Sequence, residues 1–501
     1  MFTQAHAATL VGIDALPVVV EVDTHPGENF FTLVGLPDKA VQEAEERVRA
    51  AMRNSDLDFP RGRVVVNLAP ADIKKEGPSL DLPLAVALLA IDRQVNPEFL
   101  TETLFLGELG LDGRLRTIDG AVNVALLCRE KGFKRLVVPR VNASEAAVVP
   151  GLEVYGVDTL LDVVYLTNGD LTAQPVQLTK SAPTKVDYPV DFSDVKGQRQ
   201  AIRALEIAAA GGHNVLMVGP PGSGKTLLAR RLPTILPPLS LQESIDVTRV
   251  YSAAGERSGQ QGLVWERPFR TPHHTASYAA VVGGGKSPRP GEISLAHLGV
   301  LFMDELSEFG RDVLEALRQP LEDGVVTVAR VQNTLTFPAR CVVVGAMNPC
   351  PCGFKGYPEA NCVGANACQR YSAKISGPLL DRIDLHVTVP RLKPDELAAI
   401  PTGEASAAIQ ERVVRARSAQ TERLGEGRTN AAMTPRELRE TIQTDTDCTA
   451  FMKGVAARLN ISARVYDRIL KVGRTIADLG GSAAVQKQHL AEAVQYRSLS
   501  D

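Results

Sequence analysis

The chain has 501 residues, 44% hydrophobic and 23% charged, a balance that suits several packed domains and excludes a disordered or collagen-like chain. Its net charge is −3, so any contact with nucleic acid must come from local basic surfaces rather than a global field. The longest apolar run, around Pro83–Ile91, is well short of the roughly 20 residues of a membrane span, and the first Lys or Arg is Lys39; the expectation is a cytoplasmic protein with no membrane partner and no secretory leader.

In chain order, the first 171 residues read as one α/β domain. Pro17–Val22, Val64–Leu68 and Arg135–Pro139 are apolar and β-branched, as strands are. Ala40–Met52 has helical spacing, with Val41, Ala44, Val48 and Ala51 on one side. Leu82–Ile91 reads as a buried helix. Residues 172–190 turn to Pro, Thr, Lys, Gln and Ser and read as a linker. From 191 to 392 strands alternate with helices: Asn214–Val218, Val300–Met303 and Cys341–Ala346 are short apolar runs, and a helix begins at Thr226. That alternation predicts a doubly wound parallel sheet. From 393 to 501 the pattern is helical, over Ala407–Leu424, Leu438–Thr441, Phe451–Leu459, Ala463–Leu479 and Lys487–Tyr496, with Gly425–Thr429 as a mobile loop. No internal repeat is present.

Gly219-Pro220-Pro221-Gly222-Ser223-Gly224-Lys225-Thr226 fits the P-loop pattern between a strand and a helix. Glycines let the backbone curl until its N–H groups face phosphate oxygens, and the following helix adds partial positive charge. Lys225 supplies a full charge to the β- and γ-phosphates, and the Thr226 hydroxyl ligates Mg²⁺. Val300–Met303 is a second apolar strand and ends in Asp304-Glu305, at the edge where α/β sheets bind ligands. Asp304 is read as orienting the Mg²⁺ shell and Glu305 as polarising the attacking water. A third strand leads to Asn348, which suits either a group that positions water or γ-phosphate, or a turn.

Two further stretches carry chemistry. Residues 324–340 read as a hairpin with Arg330 and Arg340 and no acid. Between Arg257 and Gly291 lie five cations, Arg257, Arg267, Arg270, Lys286 and Arg289, against the single acid Glu266, with His273-His274 between and Gly283–Gly285 as a flexible point. Such a loop suits sequence-independent phosphate contact by Arg270, Lys286, Arg289 and, on the hairpin, Arg330; it equally suits a structural insertion with ordinary surface charge. Of seven cysteines, Cys350, Cys352, Cys362 and Cys368 cluster between 350 and 368. They could supply four thiolates to one Zn²⁺ or stand as four reduced thiols.

The strings GPPGSGKT, LFMDEL, NPCPCG and SGPLLDRIDLHV together resemble the ComM (YifB) family of magnesium-chelatase-like AAA+ ATPases, and the resemblance runs over nearly the whole chain. It implies an α/β protein: a Lon-like amino-terminal domain of the S5 domain 2 type, an AAA+ P-loop core, and a carboxy-terminal helical lid. It implies ATP and Mg²⁺ at the seams of a homo-hexameric ring. Arg382 would be the finger that reaches the neighbour's γ-phosphate, Asn348 the first sensor and Arg464 the second, acting from the lid. Asp194–Gln198 resembles the segment along the adenine, with Val195 and Gly197 in contact. The hairpin before the first sensor would point into the pore. The implied activity is branch migration of joint DNA molecules during natural transformation. A chelatase-type motor driving metal insertion, and a nucleotide-gated scaffold without unwinding, are the rivals.

Glu76-Gly77-Pro78-Ser79-Leu80 and Gly107-Glu108-Leu109 resemble the Lon protease domain. Ser79 matches that family's nucleophile, and Val122 falls where its lysine base belongs. A serine hydroxyl without a base is inert, so no peptidase activity is expected.

Overall fold

The computed structural model describes residues 1–170, 173–177, 186, 188–257, 262–285, 288–329, 334–355, 364–398, 403–442, 445–459 and 461–497. Lys286, Arg330, the hairpin tip Gln332-Asn333 and Cys362 lie outside them, as does most of the 172–190 linker.

A seven-stranded mixed sheet organises the amino-terminal part, in the order 30–34, 63–69, 14–25, 2–11, 103–105, 135–139, 153–157. The predicted strands are there, two of them longer than their β-branched cores and Arg135–Pro139 as read: Asp14–His25 pairs antiparallel with both Phe2–Val11 and Arg63–Ala69. The helix expected over 40–52 is broken at Glu43 into Lys39–Gln42 and Ala44–Asn54. Helix Asp81–Ile91 is buried at every position.

The second unit is a five-stranded, wholly parallel sheet ordered 269–270, 300–303, 342–347, 215–218, 385–388. Covered on both faces, its three central strands are apolar throughout, as parallel sheets require. Met217, Phe302 and Val344 enter a core shared with the lid helices; Leu216, Leu301, Met303 and Val343 enter the core on the other face. Register brings Val218 beside Met347, and Met303 beside Gly345. The P-loop, Asp304-Glu305 and Asn348 therefore all leave the sheet at one edge.

The lid packs on the first of these cores. In Ala463–Leu479 the buried Val465, Ile469, Val472 and Ile476 repeat at three- and four-residue steps, one stripe of an amphipathic helix. Gly473 lets helix Lys487–Gln495 approach: a Cβ there would sit 2.7 Å from Leu490 Cδ2. The 425–429 loop is tied down rather than mobile. Arg428 donates to Glu437 Oε2 at 2.9 Å and to the Ala432 carbonyl at 3.2 Å.

The two units are docked. Ile13 joins the second unit's core beside Phe337, Arg249 pairs with Asp14 at 3.1 Å, and buried Glu145 accepts from Val122 N–H at 3.2 Å and from the Ser252 hydroxyl. Burial raises the Glu145 carboxyl above the usual range despite these bonds. No described helix is long and apolar enough to cross a membrane.

Candidate active site

The phosphate loop leaves Val215–Val218 and closes on helix Lys225–Arg231. Gly222 and Gly224 have φ of +73° and +92°, conformations open to glycine at little cost. Gly219 is needed for space, since a Cβ there would lie 2.2 Å from the Val389 carbonyl oxygen. Lys225 Nζ donates to the carbonyls of Gly219 and Pro220 at 2.7 and 3.0 Å and to Asn348 Oδ1 at 3.3 Å. Burial lowers the Lys225 ammonium from its usual value, with Asp304 and Glu305 pulling the other way. A cation held this way, buried on carbonyls alone, gains strongly when phosphate replaces them.

Thr226 Oγ1 donates to Asp304 Oδ2 at 2.8 Å. The two groups that would hold Mg²⁺ are thus in contact, and the fit to a nucleotide–Mg²⁺ pair is good on residue type and placement. The bound ion would neutralise phosphate charge. Glu305 stands with φ +50°, half-exposed, its Oε2 3.6 Å from His274 Nδ1. It faces a cavity of about 560 Å³ that Asn348, Arg370 and Lys374 also line. A carboxylate and an amide facing one polar cavity can hold a water for attack.

The segment expected along the adenine lies against the same loop. Val195 is buried, Gly197 has φ +59°, and Gln198 Nε2 bonds the carbonyls of Pro390 and Ser223 at 2.7 and 3.3 Å.

Arg382 and Arg464 are elsewhere. Arg382 precedes the strand Leu385–Thr388, whose first residue pairs with Val215 and whose last pairs with Val218. It therefore sits at the opposite edge of the sheet from the P-loop. Arg464 is bonded there too: both side chains end on Glu322. Arg464, expected as a second sensor acting from the lid, thus stands at the sheet edge away from this chain's own P-loop. Helix Ala463–Leu479 presents Arg464 beside Arg382, and its Arg468 bonds the Arg382 carbonyl at 2.9 Å and buried Asp384. Burial works to raise the Asp384 carboxyl, but Arg468 and His213 outweigh it and hold it well below the carboxylate range. Glu322 and Arg468 carried no sequence signal beyond their charge, and Asp384 lies in the SGPLLDRIDLHV string with no role assigned to it.

The basic stretch has acidic partners of its own. Arg270 is held by Glu292 at 2.7 Å and Glu256 at 3.0 Å, Arg267 by Glu243 at 3.1 Å and two carbonyls, and Arg289 by Asp119 at 3.3 Å. Glu256 and Glu292 flank the 257–291 window by one residue on each side, so a charge count within it misses both partners. Gly283-Gly284 pairs with Arg289-Pro290 as a short ribbon instead of a free hinge.

Cys350 and Cys352 bring their sulfurs to 3.1 Å. Their loop packs on the phosphate loop: a Cβ on Gly353 would lie 2.6 Å from Pro221 Cδ. Cys368 is on helix Ala365–Ser372. Among the described residues no three His, Cys, Asp or Glu side chains are grouped to hold a metal. In the amino-terminal domain Val122 is fully buried, and among the described residues no side chain bonds the Ser79 hydroxyl.

Comparison with known proteins agrees with this geometry. Families described as magnesium chelatase subunit ChlI match residues 191–397 and, for the carboxy-terminal part, 403–497; a further ChlI family matches 20–142. The competence protein ComM of Haemophilus influenzae is 43% identical over 98% of this chain and 96% of its own. This chain belongs to the ComM/YifB family of magnesium-chelatase-like AAA+ ATPases. YifB of Escherichia coli is 41% identical over 99% of the chain and 96% of its own. Lon protease 2 of Bacillus subtilis is 28% identical over 30% of the chain and 28% of its own. ATP and Mg²⁺ follow from membership, and the P-loop, Thr226 and Asp304 are the residues suited to them.

Proposed function

We propose that this protein is an ATP-driven DNA motor: a homo-hexameric ring that migrates branched recombination intermediates during natural transformation. One observation carries the reading. The cradle and carboxylates leave one edge of the sheet while Arg382 and Arg464 stand at the other, so a complete hydrolytic site needs two copies of the chain. Closed rings satisfy such a head-to-tail contact. The hairpin Val325–Ala329 and Thr334–Pro338, with exposed Arg340 behind it, is the element suited to DNA, and the name of the Haemophilus relative places that protein in competence.

The test is ATP hydrolysis with single-stranded, duplex and four-way-junction DNA at two salt concentrations, with strand exchange scored on the junction. Stimulation that weakens with salt, and junction migration lost in Lys225→Ala, are expected. Hydrolysis indifferent to every DNA would favour the chelatase-type reading, to which the matched families give weight; DNA binding without migration would favour a scaffold. Cys350, Cys352 and Cys368 are not grouped for a metal among the described residues; metal analysis of purified protein beside Cys350→Ser separates reduced thiols from a zinc site. The amino-terminal domain is read as non-proteolytic, and Ser79-dependent peptide cleavage would overturn that.

A further inference from the structure

Arg382 engages every guanidinium nitrogen inside its own chain. Nε donates to Glu322 Oε2 at 3.0 Å, Nη2 to the same oxygen, and Nη1 to the Pro378 carbonyl at 2.8 Å. Its side chain is only 7% exposed. In this arrangement it cannot reach a phosphate on another subunit. Arg464, 46% exposed, donates to the other oxygen of the same carboxylate at 3.3 Å. The Arg382 backbone is pinned separately, by Arg468 at its carbonyl, so the side chain can change partners without the strand moving.

Glu322 itself belongs to the hairpin's base. Helix Arg318–Asp323 ends at Gly324, whose φ is +67°, and the hairpin begins at Val325. Gly324 N–H donates to the Pro320 carbonyl at 3.0 Å, and its own carbonyl accepts from Ala339 N–H at 2.8 Å, where the returning strand leaves. Gln319 holds the backbone N–H and hydroxyl of Thr327 at 3.2 and 3.0 Å. Helix and hairpin are one body, and Glu322 is carried on it.

We infer that Glu322 is a latch: it occupies the Arg382–Arg464 pair in the resting subunit, and a load on the 325–338 hairpin withdraws it, freeing the pair for the neighbour's γ-phosphate. The inference rests on the two-copy seam and DNA-bearing hairpin proposed above. Chemistry favours the exchange. The guanidiniums trade one carboxylate for phosphate oxygens of higher charge, which accept the same forked bonds. The Arg382 bonds hold the Glu322 carboxyl below its usual range, yet its side chain is 44% exposed, so solvent screening keeps the clasp weak enough to displace. Hairpin position and arginine release thereby become one two-state element, the requirement for coupling two sites.

The experiment uses full-length Glu322→Gln and Glu322→Asp, with ATPase measured with and without junction DNA and folding followed by thermal melting. Glu322→Gln is expected to raise the DNA-free rate roughly tenfold, the scale of one lost charge-assisted bond, while the DNA-saturated rate stays near wild type and the stimulation ratio collapses. Glu322→Asp keeps the charge but is too short to clasp both arginines, and a smaller rise of the same sign is expected; it decides the matter if the glutamine variant does not fold. Arg382→Ala added to either should abolish the rise. An unchanged or lowered DNA-free rate in the folded variants overturns the latch. If wild type is stimulated by DNA and Arg382→Ala is inactive, that result sinks the latch alone; if DNA has no effect on wild type, or Arg382→Ala is fully active, the underlying motor reading has failed instead.

Discussion

Glu305 is held in the left-handed region, where a non-glycine residue sits at a cost of roughly 1 kcal/mol or more. The turn it makes directs its carboxylate into the cavity it shares with Asn348, while Asp304, one residue earlier, stays on Thr226. Two adjacent acids thus do different work because the backbone turns between them. Glu305→Gln keeps shape and hydrogen bonding but cannot take a proton, so nucleotide binding should persist while kcat falls roughly a hundredfold or more; fluorescent-nucleotide titration beside steady-state hydrolysis checks both halves. These residues were legible in the sequence because each follows a short apolar strand, and the carboxyl end of such a strand is the ligand edge of an α/β sheet. Glu322 was not. It lies in a short helix beside one other acid, Asp323, and its meaning comes from two arginines remote in sequence. Arg270 misled for the converse reason: its partners Glu256 and Glu292 close around it only in three dimensions.

At the scale of elements, the Val-rich strands Asp14–His25, Arg63–Ala69, Val215–Val218 and Val342–Met347 were readable and the strand Phe2–Val11 was not. Its buried residues are Ala5, Ala7, Ala8 and Thr9, too small or polar to give the alternating apolar pattern that marks a half-buried strand. The cysteine loop illustrates how one element constrains another. Gly353 has φ +82° and touches Pro221 of the phosphate loop. A methyl there meets a ring that cannot rotate away, and the backbone conformation disfavours any side chain. Gly353→Ala should therefore displace the phosphate loop and raise KM for ATP roughly tenfold or more, since small misplacements of a binding loop are costly. The fold should survive, which circular dichroism and a melting curve would register; an unchanged KM would mean the two loops are uncoupled.

Over the whole molecule, four histidines that burial lowers, His6, His297, His386 and His489, make the fold sensitive to acid, His297 and His386 most. Burial, with Arg340 and Arg267 nearby, pushes His297 down to about 3, and burial with Arg497 pushes His386 down to about 4. His297 is neutral in the fold and uses Nδ1 to accept from Arg340 N–H at 3.1 Å. Unfolded, both titrate near 6.5. Below that pH the unfolded chain takes protons the native one refuses, so stability falls as pH drops from about 6.5, by up to about 2.7 kcal/mol per unit for the pair. Asp384 acts lower down: depressed in the fold, it contributes above about pH 4 and its share is lost only below that. His297→Asn retains an acceptor without a titrating ring, and its denaturation midpoint should fall less steeply than wild type between pH 6.5 and 5. The arrangement of copies gives the other molecule-wide expectation. If the nucleotide sits between two chains, Arg382→Ala subunits still own a working cradle and Lys225→Ala subunits still own a working arginine. Each alone should be inactive. Mixed in equal amounts after subunit exchange, about a quarter of head-to-tail seams would join a sound cradle to a sound arginine, and hydrolysis should return to at most that share. The recovery should vanish when the same two substitutions are placed on one chain and mixed with nothing else. Absence of recovery at every ratio, with subunit exchange verified, would mean that each chain completes its own site, and the sheet-edge separation of Arg382 from the P-loop would then need a different explanation.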